Sequence, residues 1–159
     1  MIGDKKVIQY LTKALSLELT AVNQYFLHAR MYKSWGLQAL GKHEYDESIE
    51  EMRHADRLIE RILFLEGVPS LQDPGKPSIG RDVQDCLGRN LKLETSGRAL
   101  YREAIAHCET VQDFVSREIL ARILEQTEGH IEYLETQLQL IERVGLANYL
   151  QSAMGGVGP

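Results

Sequence analysis

The chain has 159 residues, 43% of them apolar and 26% charged, and a formal net charge of −5. That is enough for one domain with its own core, and the acidic balance argues against nucleic acid as a partner. No apolar run approaches the ~20 residues that cross a bilayer, which excludes a membrane span, and MIGDKKVIQYL has no secretory pattern, so the expected setting is the cytoplasm.

A first helix is expected over residues 5–33, capped by Asp4 and broken at Ser34-Trp35-Gly36. Leu11, Leu15, Glu18, Val22, Tyr25 and Ala29 recur along it at steps of four and three, the mark of one helix face. A second helix over 37–66 carries Leu37, Leu40, Glu44, Glu47, Glu51, His54, Leu58 and Leu65 on a stripe that is acidic in its middle. Pro69, Pro74 and Pro77 all fall within Gly67–Gly80, so residues 67–80 read as one long connection.

The third helix is expected over 81–107, with Val83, Leu87, Glu94, Tyr101 and Ile105 in its seam. Thr110-Val111-Gln112-Asp113 resembles a capping box opening a fourth helix over 111–144, striped by Leu120, Ile123, Thr127, His130, Leu134, Leu138 and Ile141. Gly145 ends it, residues 146–154 suit a short fifth helix, and the Gly-rich tail is expected to be disordered. Cys86 and Cys108 show no CxxC spacing and suit small buried side chains in a reducing compartment. Helices of this length, short links within each half and one long connection predict an all-α, four-helix bundle with a single long crossover.

Coordinating residues interrupt the apolar stripes at repeated offsets. Glu18 is followed by Glu51 after 33 residues and by His54 after 36, and Glu94 is followed by Thr127 and His130 at the same two offsets. Residues three apart share a helix face, so Glu51 and His54 can reach a common ion. A bundle can bring Glu18 and Glu94 to the same layer, the arrangement of di-iron and di-manganese carboxylate bundles. Mixed oxygen and nitrogen ligands suit iron or manganese. Burying several carboxylates together is costly unless a cation compensates, and these stripes hold no Lys or Arg at that level.

The stretches NQYFLHARM (Asn23–Met31), EMRHAD (Glu51–Asp56), RILFLEG (Arg61–Gly67) and NYLQS (Asn148–Ser152) give the chain a resemblance to the bacterioferritins from end to end. The resemblance implies a ferritin-like fold, a hollow cage of roughly 24 subunits that stores ferric mineral, and a ferroxidase centre in each bundle. It places one iron on Glu18 and His54, the other on Glu94 and His130, and Glu51 as a bridge. It also implies that Tyr25 beside the centre supplies an electron, that Met52 is an axial ligand to haem b shared between two subunits, and that Asp46 and Glu50 pass iron towards the cavity. A ferredoxin partner for iron release belongs to the same set of expectations. His28, His43 and His107 match no ligand position.

The chain departs from that pattern at Thr127, where the resemblance expects a second bridging glutamate. Three carboxylates leave two divalent ions with one uncompensated charge, so one position is expected to be weaker or to take a water or hydroxide. Three functional readings follow. The first is ferroxidase and iron storage. The second is a haem-binding or structural subunit that co-assembles with a sister chain, and the third is a di-iron oxidase or peroxidase.

Overall fold

Asp4 starts the first helix, α1 (Lys5–Ser34), by accepting the Val7 amide on its side chain. Trp35 and Gly36 turn the chain, with Gly36 in the left-handed region (φ 83°) that suits glycine. The second helix, α2 (Gln38–Phe64), returns antiparallel, and the Gly3 amide bonds the Leu65 carbonyl to tie the start of one helix to the end of the other. The computed structural model describes residues 1–71 and 75–156, so Pro74 and residues 157–159 of the tail lie outside the described residues.

The described parts of 67–80 contain no regular element and run along α1. Thr20 Oγ1 donates to the Gly75 carbonyl, the Ser78 amide to Gln24 Oε1, and the Gly80 amide to His28 Nε2. The third helix, α3 (Val83–Thr110), begins after Asp82, which caps it by accepting the Asp85 amide. The fourth, α4 (Phe114–Val144), is capped by Asp113, which accepts the Ser116 amide. That corrects the capping box expected at Thr110: α3 continues through Thr110, whose hydroxyl bonds back to the His107 carbonyl and is spent there. Gly145, at φ 84°, separates α4 from α5 (Leu146–Ala153).

The core comes in two apolar parts. Leu11, Leu15, Leu58, Ile62, Leu120 and their neighbours fill one end of the bundle. Tyr32, Leu40, Leu87, Leu134 and Ile141 fill the other, where α5 adds Tyr149 and Ala153. A buried leucine contributes ~1.5–3 kcal/mol, so these clusters hold the bundle. Every long helix passes from one cluster to the other, and most of the buried polar residues lie in between: from Glu18 to His28, Glu44 to His54, Asn90 to Glu94 and Thr127 to His130. Register alone therefore stacks the ionisable groups in the middle of the molecule. Among the described residues no helix is long and apolar enough to cross a membrane.

Candidate metal centre

Glu18 on α1 and Glu51 and His54 on α2 are all buried, and one donor atom from each lies within 4.8 Å of the other two. An ion could touch all three at the ~2.0–2.4 Å usual for carboxylate and imidazole ligands. His54 Nδ1 stands 3.3 Å from Glu51 Oε2 and 3.5 Å from Glu18 Oε2. Its ring is fixed by Gln126 of α4, whose side-chain carbonyl accepts from Nε2. That leaves Nδ1 facing the carboxylates, the usual way a second hydrogen bond sets the orientation of a ligand histidine.

A second group meets the same criterion: Glu47, Glu51 and His130. Glu51 belongs to both. His130 Nδ1 donates to Glu94 Oε1 at 2.9 Å and lies 3.7 Å from Glu47 Oε2. Glu94 enters neither triplet, but it is held against His130 and accepts the Tyr25 hydroxyl at 2.6 Å. The Tyr25 ring meets the His130 ring edge-on, with centroids 5.3 Å apart. Thr127 is buried one turn before His130 and offers only a hydroxyl.

The electrostatics are those of a site short of positive charge. Burial, then the charges of Glu18 and Glu94, push the Glu51 carboxyl well above the carboxylate range. Burial also opposes ionisation of Glu18, but Glu51 and His54 outweigh it and hold Glu18 below its ordinary value. The two carboxylates therefore resist ionising together. Burial disfavours the His130 imidazolium, yet the hydrogen bond and charge of Glu94 raise it to about 9. His54 is raised in the same way by Glu18 against the effect of burial. Even so, Glu18 Oε2 and His130 Nε2 are buried without a hydrogen-bond partner among the described residues. Orphaned atoms of this kind are costly to bury. A cation would use Glu18 Oε2, and it would take the place of the proton on His130 Nδ1, the nitrogen that faces Glu94 and Glu47.

The remaining expected residues stand apart from the two triplets. Asp46 is exposed and paired with Lys42 at 2.9 Å. Glu50 pairs with Arg53 on the surface and lines an open groove between α2 and α4 that reaches His54 and Gln126. Met52 is half exposed on the outside of α2. His28 is a buried hydrogen-bonding residue between Asn90 and the crossover, and His107 pairs with Asp4.

Three members of the site are absent from the sequence-based set of ligands and their supports: Glu47, Tyr101 and Gln126. Tyr101 of α3 donates to Glu18 Oε1, as Tyr25 of α1 donates to Glu94 Oε1. The arrangement is a two-fold exchange between the halves of the chain, with 18 and 94, 25 and 101, 51 and 127, and 54 and 130 each 76 residues apart. That constant offset is a signal from which Tyr101 could have been found. Gln126 carries no such signal, because its contact depends on how α4 is rotated against α2.

The ferritin-like domain family matches residues 8–144. The chain is 48% identical over 151 residues to a bacterioferritin of Brucella melitensis biotype 1, an alignment covering 95% of this chain and 94% of that protein. It is 47% identical over 153 residues to a bacterial ferritin of Pseudomonas aeruginosa, covering 96% and 99% of the two chains. It is 40% identical over 145 residues to a bacterioferritin of Mycobacterium bovis, covering 91% of each. A family match over most of the chain, joined to relatives aligned almost end to end, means that the chain belongs to the bacterioferritins, within the ferritin-like domain family.

Proposed function

We propose that this chain is the subunit of a cytoplasmic iron-storage cage of roughly 24 copies, and that it oxidises Fe(II) to Fe(III) at the paired site inside its bundle. Membership of the bacterioferritins supports iron storage. The observation that carries the ferroxidase reading is the pair of donor triplets, one buried and one reaching the rim at Glu47, that share Glu51 and leave Glu18 Oε2 without a partner. Fe(II) is the substrate. The oxygen and nitrogen donors suit it, and the carboxylates favour the more highly charged Fe(III) product.

In this reading Glu18, Glu51 and His54 bind one Fe(II), Glu94 and His130 bind the other, and Glu51 lies between them. Electrons pass to dioxygen or hydrogen peroxide, and Tyr25, hydrogen-bonded to Glu94, is placed to give one. The groove lined by Glu50, Arg53, His54 and Gln126 is the opening nearest the site, so Glu50, with Asp46 farther out on α2, is assigned to the passage of iron. The two cysteines are buried and unpaired, which suits a reducing compartment.

Met52 fits one half of an axial pair for haem b, being a soft thioether half exposed on α2 where a second subunit could supply its equal. Bound haem would supply a path for electrons, with a ferredoxin as the external reductant for iron release. Thr127 favours a second reading, a mixed cage in which a sister subunit carries the faster oxidation.

One experiment separates these readings. The purified chain, freed of metal, is sized by light scattering, and its aerobic oxidation of Fe(II) is followed by absorbance. A homogeneous cage that oxidises Fe(II) faster than buffer is the expected result. A monomer rejects the storage cage, and a cage no faster than buffer rejects ferroxidase activity in favour of the mixed assembly.

A further inference from the structure

We propose that Glu47 completes the second cation position of this chain, supplying from α2 the carboxylate that Thr127 does not supply from α4. The inference rests on the two-cation reading above and specifies how this particular sequence achieves it.

Glu47 lies one turn before Glu51 on α2, so both side chains emerge on the same face. Its carboxylate is 3.7 Å from His130 Nδ1, and Glu47, Glu51 and His130 each offer a donor atom within 4.8 Å of the other two. His130 is almost wholly buried and turns Nδ1 towards both Glu94 and Glu47, so this group brings a buried nitrogen donor and is more than a patch of acids. Among the described residues Glu47 has no Lys or Arg within ion-pair distance, and His130 is its one ion-pair partner. Glu44, at the same level of α2, points elsewhere and accepts from Asn90.

Charge counting leads to the same residue. Glu18, Glu51 and Glu94 supply three negative charges against the four positive charges of two divalent ions. Glu47 supplies the fourth. A threonine hydroxyl is neutral and does not match a carboxylate as a ligand for a hard cation.

The substitution also makes the two positions unequal. The Glu18 and Glu51 side chains are 1% and 7% exposed, whereas that of Glu47 is 25% exposed. Moving the carboxylate from the buried stripe of α4 to the rim of α2 opens the second position to solvent. The Glu18–Glu51–His54 position therefore fills first, and the Glu47–Glu51–His130 position fills second and exchanges faster.

The test is an anaerobic Co(II) titration of the assembled, metal-free protein, read by the d–d absorption of the bound ion and by calorimetry. The variants are Glu47→Gln, Thr127→Glu and the two combined. Wild type should take two Co(II) per subunit in two steps. Glu47→Gln should keep the first step and weaken the second by about 100-fold, the upper end of the loss caused by removing even an outer-shell partner. The double variant should recover the second step. The retained first step reports that the Glu47→Gln protein is folded, and glutamine matches glutamate in shape. Two unchanged steps in Glu47→Gln would overturn the role of Glu47 while leaving the paired site intact. Wild type saturating at one Co(II) would overturn it as well. Wild type that binds no Co(II) would overturn both this inference and the ferroxidase reading.

Discussion

Two polar layers lie buried side by side in this bundle, and they handle burial in opposite ways. In one, Asn90 of α3 connects three helices: its carbonyl accepts from Gln24 Nε2 and His28 Nδ1, and its amide donates to Glu44 Oε1. Gln24 and His28 then accept the Ser78 and Gly80 amides of the crossover. The groups of this layer are held neutral, since burial keeps the His28 imidazole down to about 4 and pushes the Glu44 carboxyl up to about 8. In the other layer, carboxylates and imidazoles crowd together and buried donor atoms are left over. Apart from Glu44 Oε2, which is buried without a partner among the described residues, the first layer closes on itself and anchors the crossover. The second keeps donor atoms in excess, which is how a buried polar cluster can be recognised as a candidate site.

Glu51→Gln should separate the layers most sharply. Glu51 is common to both donor triplets, so the variant should lose paired cation binding and slow Fe(II) oxidation by about 100-fold or more, a common scale for removing a ligand or its partner. The metal-free protein should meanwhile become more stable by ~1–2 kcal/mol, because a residue kept for function at the expense of stability is relieved. Stopped-flow oxidation and urea unfolding of the metal-free protein measure the two effects. A variant that is both slower and less stable would mean that Glu51 belongs to the closed network.

Asn90→Ala should do the reverse. It strands Gln24, His28 and Glu44 in the core at once, and each buried group left without a partner costs ~1–3 kcal/mol. A loss of ~3–4 kcal/mol in urea unfolding is expected, with Co(II) stoichiometry unchanged in the folded fraction. Loss of a cation without loss of stability would move Asn90 into the metal layer.

The sequence carried the fold and the gathering of these residues into one buried layer because both obey helix register. Glu18, Glu51, His54, Glu94 and His130 sit at offsets fixed by the lengths of two hairpins, and prolines confined to 67–80 leave the rest free to be helical. What it did not carry depends on rotation and depth. Glu47 stood in the acidic stripe of α2, but its nearness to His130 is a property of two helices together. The Gln126 contact with His54 has the same origin. His28 matched no ligand position, and the structure gives the reason: both ring nitrogens are occupied by Asn90 and the Gly80 amide. At Thr110 a local motif was present and the neighbouring helix overrode it by one turn.

The smallest expected effect concerns pH and again distinguishes the layers. His28 is buried, and its folded-state value is lowered to about 4 from 6.5, first by burial. Between those values the unfolded chain takes up a proton that the folded chain refuses. The contribution of His28 is therefore present above pH 6.5 and is lost as pH falls through 4. Linkage puts the loss at ~2 kcal/mol between pH 7 and pH 5. Glutamine at position 28 can still donate to Asn90 and does not titrate, so His28→Gln should flatten that slope while lowering stability at pH 7 through the missing contact to Gly80. Urea midpoints at the two pH values, taken on metal-free protein to remove linkage to cation binding, measure the difference, and the titration of the carboxylate and imidazole cluster is common to both proteins and cancels between them. Equal slopes in the two proteins would mean that His28 protonates without opening the layer, and the neutral network would then lose its claim to be the part of the core that holds the crossover.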